Sequence, residues 1–174
     1  MLRFNSDHKF KIMQIADTQE IPAVSPDTLS LINNALDREK PDLVIFTGDQ
    51  IKGYSKKFKK DPAIIESTTD ILVEPIAKRN IPFMVTYGNH DAQCGIDNRG
   101  QYKFYAKYDN FISGDLRNSD DVGTADIQIY SSTEDKPVFE LYIIDSHGKA
   151  KDGAGYAPVD KKQIESVSYT HLTL

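Results

Sequence analysis

Short apolar runs alternate with helically spaced segments through the first half of the chain. "FKIMQIA" (10–16), "DLVIFT" (42–47) and "IPFMVT" (81–86) are too short for helices and rich in β-branched and aromatic residues. Each predicts a strand, the first buried and the second apolar enough to be covered on both faces. Between the first two lies "SPDTLSLINNALDREK", with Ser25 as N-cap, Pro26 at the first helical position and Asp27 in the first turn. Leu29, Ile32 and Leu36 recur there at helical spacing, which predicts a helix. A second helix is predicted over 62–78, with Ile64, Thr68, Ile71 and Leu72 on one side and a kink at Pro75. Strand, helix, strand, helix, strand makes two right-handed βαβ units and a parallel sheet. Further on, "QYKFYAKYDNFI" (101–112) reads as a helix, and "ADIQIYSS" and "VFELYIID" flank "TEDKP" as a hairpin.

Composition narrows the class. The chain has 174 residues, 39% hydrophobic and 27% charged, the profile of one globular domain with a real core. No apolar run approaches the roughly 20 residues that cross a bilayer. The opening "MLRFNSDHKFKIMQIAD" lacks the apolar run and cleavage site of a secretory signal, and a lone cysteine, Cys94, permits no internal disulfide. Both point to the cytoplasm. A net charge of −5 gives no overall attraction for nucleic acid or anionic lipid, so neither is an expected partner. The basic run "KKFKK" (56–60) reads as a solvated loop that could help hold an anionic substrate. The ending "VSYTHLTL" (167–174) reads like a translated sequencing adapter, so the domain is expected to occupy 1–166 and to be the N-terminal part of a larger one.

The polar residues fall at the strand ends. Strand one runs into "ADTQ", strand two into "TGDQ" and strand three into "YGNHD". In a parallel sheet these carboxyl ends share one edge, where open α/β folds bind ligands. Asp17, Asp49, Asn89 and His90 are therefore expected to converge. Taken singly, each also suits a plain turn or cap: glycine and asparagine tolerate left-handed backbone, and aspartate bonds its own backbone. Together they supply hard oxygen and imidazole donors of the kind that hold Mn, Fe or Zn.

Asp17-Thr18-Gln19, Gly48-Asp49 and Gly88-Asn89-His90-Asp91 resemble the signature of the calcineurin-like metallophosphoesterases, Asp-x-His, Gly-Asp and Gly-Asn-His-Asp/Glu, each after a strand. The phrases "KPDLVIFTGDQ" and "IPFMVTYGNHD" are most similar to the purple-acid-phosphatase-like branch. The resemblance implies an α/β fold of two face-to-face mixed sheets flanked by helices, and hydrolysis of phosphate esters, of a small molecule or a phosphoprotein, at two divalent metal ions. It implies Asp17 on the first metal, Asp49 bridging, Asn89 on the second, and His90 facing the substrate with Asp91 orienting its ring.

Two residues depart from the pattern. Gln19 replaces the histidine of Asp-x-His, so a weaker amide donor would face the first metal. Lys52 stands where the purple enzymes carry a tyrosine, with Tyr54 two residues on, so no iron-tyrosinate chromophore is expected. The family's later histidine ligands have no counterpart before Ser166, from which the 174-residue chain is expected to bind metal poorly and to be inactive by itself. The alternative is a non-catalytic domain that keeps the fold and binds a phosphorylated ligand. His147 in "IIDSHGKA" reads as a loop histidine, His8 as exposed, and Cys94 as a packing residue.

Overall fold

The computed structural model describes residues 1–113, 122–150 and 152–171. Its first sheet is all parallel: β2 (Ile12–Ile15), β3 (Leu43–Thr47) and β4 (Phe83–Thr86) pair in that order, Ile12 beside Leu43 and Val44 beside Phe83. Two helices connect them. In α1 (Pro26–Glu39) the Ser25 side chain accepts from Asp27 N, and Lys40 closes the helix in the left-handed region. In α2 (Pro62–Ala77) the Asp61 side chain accepts from Ala63 N. Pro75 sits inside α2, which continues past it to Ala77.

The apolar alternation on the strands assigns each face. Val44, Phe46, Phe83 and Val85 point to one side, where they pack with Ile32 and Leu36 of α1 and Leu72, Val73 and Ile76 of α2. Leu43, Ile45 and Met84 point to the other, against Ala125, Ile127 and Ile143 of the second sheet. That sheet consists of β1 (Leu2–Arg3), β5 (Ala125–Tyr130) and β6 (Pro137–Ile143), with β1 parallel to β5 and β6 antiparallel to it. The parallel sheet thus lies between helices and the second sheet, the face-to-face arrangement expected from the sequence.

Some details differ from expectation. β2 is an edge strand rather than a buried one: Ile12 is 38% exposed, and among the described residues β2 pairs with β3 alone. The third helix, α3, spans Asn98–Ala106 instead of 101–112. It starts early because the Asp97 side chain caps Gly100 N, and it ends early because Phe111 is drawn into a bridge with Phe83. The basic run is solvated as expected, with Lys56, Lys57, Lys59 and Lys60 all exposed, but it is anchored. Lys56–Phe58 form a 3-10 turn, and Phe58 is 1% exposed in a cluster with Ile51, Ile65 and Cys94. A fourth helix, α4 (Lys161–His171), carries Gln163, whose amide donates to Thr124 Oγ1 and Asp145 O, each at 2.8 Å.

Candidate functional site

The loops leaving β2, β3 and β4 keep bonding to one another beyond the strand ends. Asp17 N donates to Gly48 O (3.0 Å), Gln19 N to Asp49 O (2.9 Å) and Glu20 N to Gln50 O (3.1 Å), so "ADTQ" runs beside "TGDQ". On the other side, Gly48 and Gly88 meet backbone to backbone. A Cβ on Gly48 would lie 2.6 Å from Gly88 N, and one on Gly88 would run into Asp49 Oδ1. Gly48 also has φ of 110°, open to glycine and strained for other residues. This close approach brings Asp49 beside Asn89, His90 and Asp91.

Asp91 holds the approach together. It is 1% exposed, its Oδ2 accepts from Asp49 N and Gly88 N, both at 2.8 Å, and its Oδ1 accepts from Ile51 N at 3.2 Å. Burial pushes its carboxyl up to about 6, against the lowering effect of those three amides. The contacts made by the Asp91 oxygens are thus to the backbone amides of residues 49, 51 and 88, beside the ring-orienting role that the resemblance implies for it. The ring is held by Gln93, whose Oε1 lies 3.1 Å from His90 Nδ1. An amide oxygen only accepts, so this contact is a hydrogen bond in the tautomer that carries its proton on Nδ1 and its lone pair on Nε2. His90 Nε2 is 4.0 Å from Asp49 Oδ2, while His90 N donates to Asp49 Oδ1 at 2.9 Å. Tyr54 packs its ring edge-on to the imidazole, centroids 4.8 Å apart.

Left-handed backbone occurs at this edge, as it does elsewhere among the described residues at positions such as Ala23, Lys40 and Asn80. Asp17 (φ 53°), Gln19 (φ 42°) and Asp49 (φ 53°) all occupy the left-handed region, which costs a non-glycine residue about 1–2 kcal/mol. Strained backbone kept in adjacent loops is characteristic of sites under functional demand. Asp49 is only 7% exposed, whereas Asp17 is open to solvent. The donors on this edge are the carboxylates of Asp17 and Asp49 and the amides of Gln19 and Asn89. They fit a divalent cation in kind, all being hard oxygens. They fall short in number: among the described residues no three His, Cys, Asp or Glu side chains form a metal-holding group.

His8, His147 and Cys94 lie outside this set. His8 is exposed, with Nδ1 3.0 Å from Ser132 Oγ. His147 sits in the loop after β6, where its Nε2 is 3.7 Å from Asp160 Oδ2 and its N donates to Asp145 Oδ1. Cys94 is 2% exposed and burial raises its thiol pKa, so it packs rather than reacts. Three supporting residues are not evident from the sequence. Gln93 orients His90, Glu20 accepts from Ser25 N at the start of α1, and Gln101 donates to Asp91 O and Ile96 O, each at 2.9 Å. Gln101 leaves a faint signal, since a polar side chain one helical turn before the buried Tyr105 needs buried partners.

An α/β sandwich carrying Asp, Gly-Asp and Gly-Asn-His-Asp at three adjacent strand ends defines a phosphoesterase-like class of protein. The family profile of the calcineurin-like phosphoesterases matches residues 10–170, and the chain belongs to that family. It is 28% identical over 199 aligned positions to "Probable inactive purple acid phosphatase 14" of Arabidopsis thaliana, covering 99% of this chain and 48% of that protein. It is 33% identical over 183 positions to "Phosphatase DCR2" of Saccharomyces cerevisiae, covering 91% of this chain and 30% of that protein. A third relative, "Probable inactive purple acid phosphatase 29" of Arabidopsis thaliana, is 27% identical, covering 83% and 42% respectively. The chain therefore spans less than half the length of each of these relatives.

Proposed function

We propose that these residues form part of a metal-dependent site that hydrolyses phosphate esters in the protein to which the chain belongs. The observation that carries this reading is the link between Asp49 and His90, a buried carboxylate accepting from His90 N at 2.9 Å with His90 Nε2 4.0 Å from its other oxygen. Asp17, Gln19, Asp49 and Asn89 would contribute oxygen donors to divalent ions of the Mn, Fe or Zn type. Bound ions of this kind neutralise phosphoryl oxygens and lower the pKa of water. His90, with Nδ1 fixed by Gln93, presents Nε2 to the substrate, where a protonated ring can donate to the departing alkoxide. Asp91 acts on the backbone, keeping residues 49 and 88–90 at the distance this chemistry needs.

The substrate class is a phosphorylated small molecule or phosphoprotein. Among the described residues no helix is long and apolar enough to cross a membrane. A second reading, a domain that binds a phosphorylated ligand without turning it over, is favoured by Gln19 at the family's histidine position and by the "inactive" names of two relatives. Aryl phosphate hydrolysis by the full-length protein with added Mn ions, alongside metal analysis, separates the two. Hydrolysis that requires metal and disappears in Asp49→Asn together with bound metal supports the enzyme. Phosphate binding with no turnover at any metal concentration supports the binding domain.

A further inference from the structure

We infer that the ligand of this site carries a second anionic group beyond the scissile phosphate, held by Lys52 and the basic turn at 56–60. This rests on the phosphoester reading above and adds the charge pattern of the substrate to it.

The turn is built onto the site. Gly53 is buried against the "YGNHD" loop: a Cβ there would run into His90 O and lie 2.9 Å from both Asp91 O and Cys94 N. The flanking residues are fixed accordingly. Tyr54, 50% exposed, meets the His90 ring at 4.8 Å, and Lys52 Nζ stands 5.4 Å from the centre of the Tyr54 ring. Next, Ser55 Oγ accepts from Lys57 N, and the buried Phe58 plugs the turn into the cluster of Ile51, Ile65 and Cys94. Lys59 and Lys60 follow in the left-handed region, with φ of 53° and 55°. The stem of Lys60 lies against Gly95, where an added Cβ would sit 3.2 Å from Lys60 Cγ. Gly95 ends the short turn that His90 begins, so Lys60 is placed at the far end from the imidazole.

Among the described residues no ion pair holds the charges on this turn. Lys52, Lys56, Lys57, Lys59 and Lys60 share that state with Lys40, Lys103, Lys136, Lys149 and Lys162, and what sets them apart is that they fall within nine consecutive positions. In a chain of net charge −5, five lysines within residues 52–60, on a segment packed against residues 90–95, concentrate positive charge on one side of the candidate site. Such a concentration of charge selects ligands by the number of anionic groups they place along it.

Titration of the isotope-labelled chain, followed by amide NMR shifts, tests this with three probes of one carbon skeleton: glycerol phosphate, phosphoglycerate and bisphosphoglycerate. Each added anionic group is expected to tighten binding about fivefold, the scale of an exposed charge pair. The double variant Lys52→Met, Lys60→Met keeps an unbranched apolar stem at both positions and should shrink those steps to less than about twofold. Lys9→Gln, on the segment before β2, should leave the steps intact. Equal affinity for the three probes, or unchanged steps in the double variant, overturns the inference while leaving the phosphoester reading in place. Failure of all three to bind overturns the inference, whereas the phosphoester reading is decided separately by metal-dependent hydrolysis in the full-length protein.

Discussion

Replacing Asp91 by Asn makes the most quantitative demand on the structure. The side chain is buried, and its carboxyl is pushed up to about 6 from the ordinary aspartate value of 3.8. A folded-state value above the unfolded one means that the native protein binds more protons between those two pH values. Stability from this group is then greatest at low pH and is lost as pH rises through the folded pKa. Between pH 4 and pH 7 the loss is roughly 2–3 kcal/mol, at about 1.4 kcal/mol for each tenfold change in proton affinity. The amide introduced by Asp91→Asn cannot ionise, so the variant lacks this component. It has a separate, pH-independent defect. The best placement sets its single oxygen on the amides of Asp49 and Gly88, which turns its NH2 toward Ile51 N–H and leaves buried donors unpaired, about 1–3 kcal/mol. Asp91→Asn should therefore be clearly less stable than the parent at pH 4 and close to it at pH 7. Urea unfolding at the two pH values reads this directly. Parallel stability profiles for the two proteins would refute the reasoning, because they would mean that burial does not govern this carboxylate.

Other perturbations test individual links. Gln93→Leu should release His90 Nδ1 and raise the population of the other tautomer, seen in the imidazole nitrogen shifts, whereas Gln93→Glu keeps an acceptor and should retain the parent tautomer. Gln19→His should tighten Mn or Zn binding by about tenfold, since imidazole is the better donor, and weaker binding would mean that residue 19 faces away. Gly88→Ala should destabilise by several kcal/mol, on the order of other severe backbone clashes, because its Cβ meets Asp49 Oδ1; a thermal midpoint equal to the parent would contradict the close approach of the two loops. Leu36→Ala, removing a 1% exposed side chain between α1 and the parallel sheet, should cost about 2–5 kcal/mol in urea unfolding.

The βαβαβ core is legible in the sequence because its signals are local. Ser25, Pro26 and Asp27 announce α1, and the apolar runs of β3 and β4 carry their own period. Features set by distant residues are not. Nothing in "FKIMQIA" says that β2 lies on a sheet edge, and nothing in "LR" says that residues 2 and 3 pair with 129 and 130. The third helix is misplaced by its pattern because the apolar spacing of 101–112 continues past the point where Phe111 leaves to join Phe83. At the site, the strand ends bring Asp17, Asp49, Asn89 and His90 to one edge, but side-chain direction is out of the sequence's reach. Asp91 looks like a partner for its neighbour His90, and the contacts its oxygens make are to the amides of residues 49, 51 and 88, while Gln93, a generic loop residue in the sequence, meets the imidazole.

The central claim is that the ends of β2, β3 and β4 together form a divalent-cation site for phosphate esters. Paramagnetic broadening of amide NMR signals by Mn ions tests it most directly, since the method registers even the weak binding expected from two carboxylates and two amides. Signals of residues 17–19, 48–50 and 88–91 should broaden first and together, and the effect should vanish in Asp49→Asn while persisting in Asp37→Asn, a change on the exposed side of α1. Broadening spread over the acidic surface, or unchanged by Asp49→Asn, would contradict the claim.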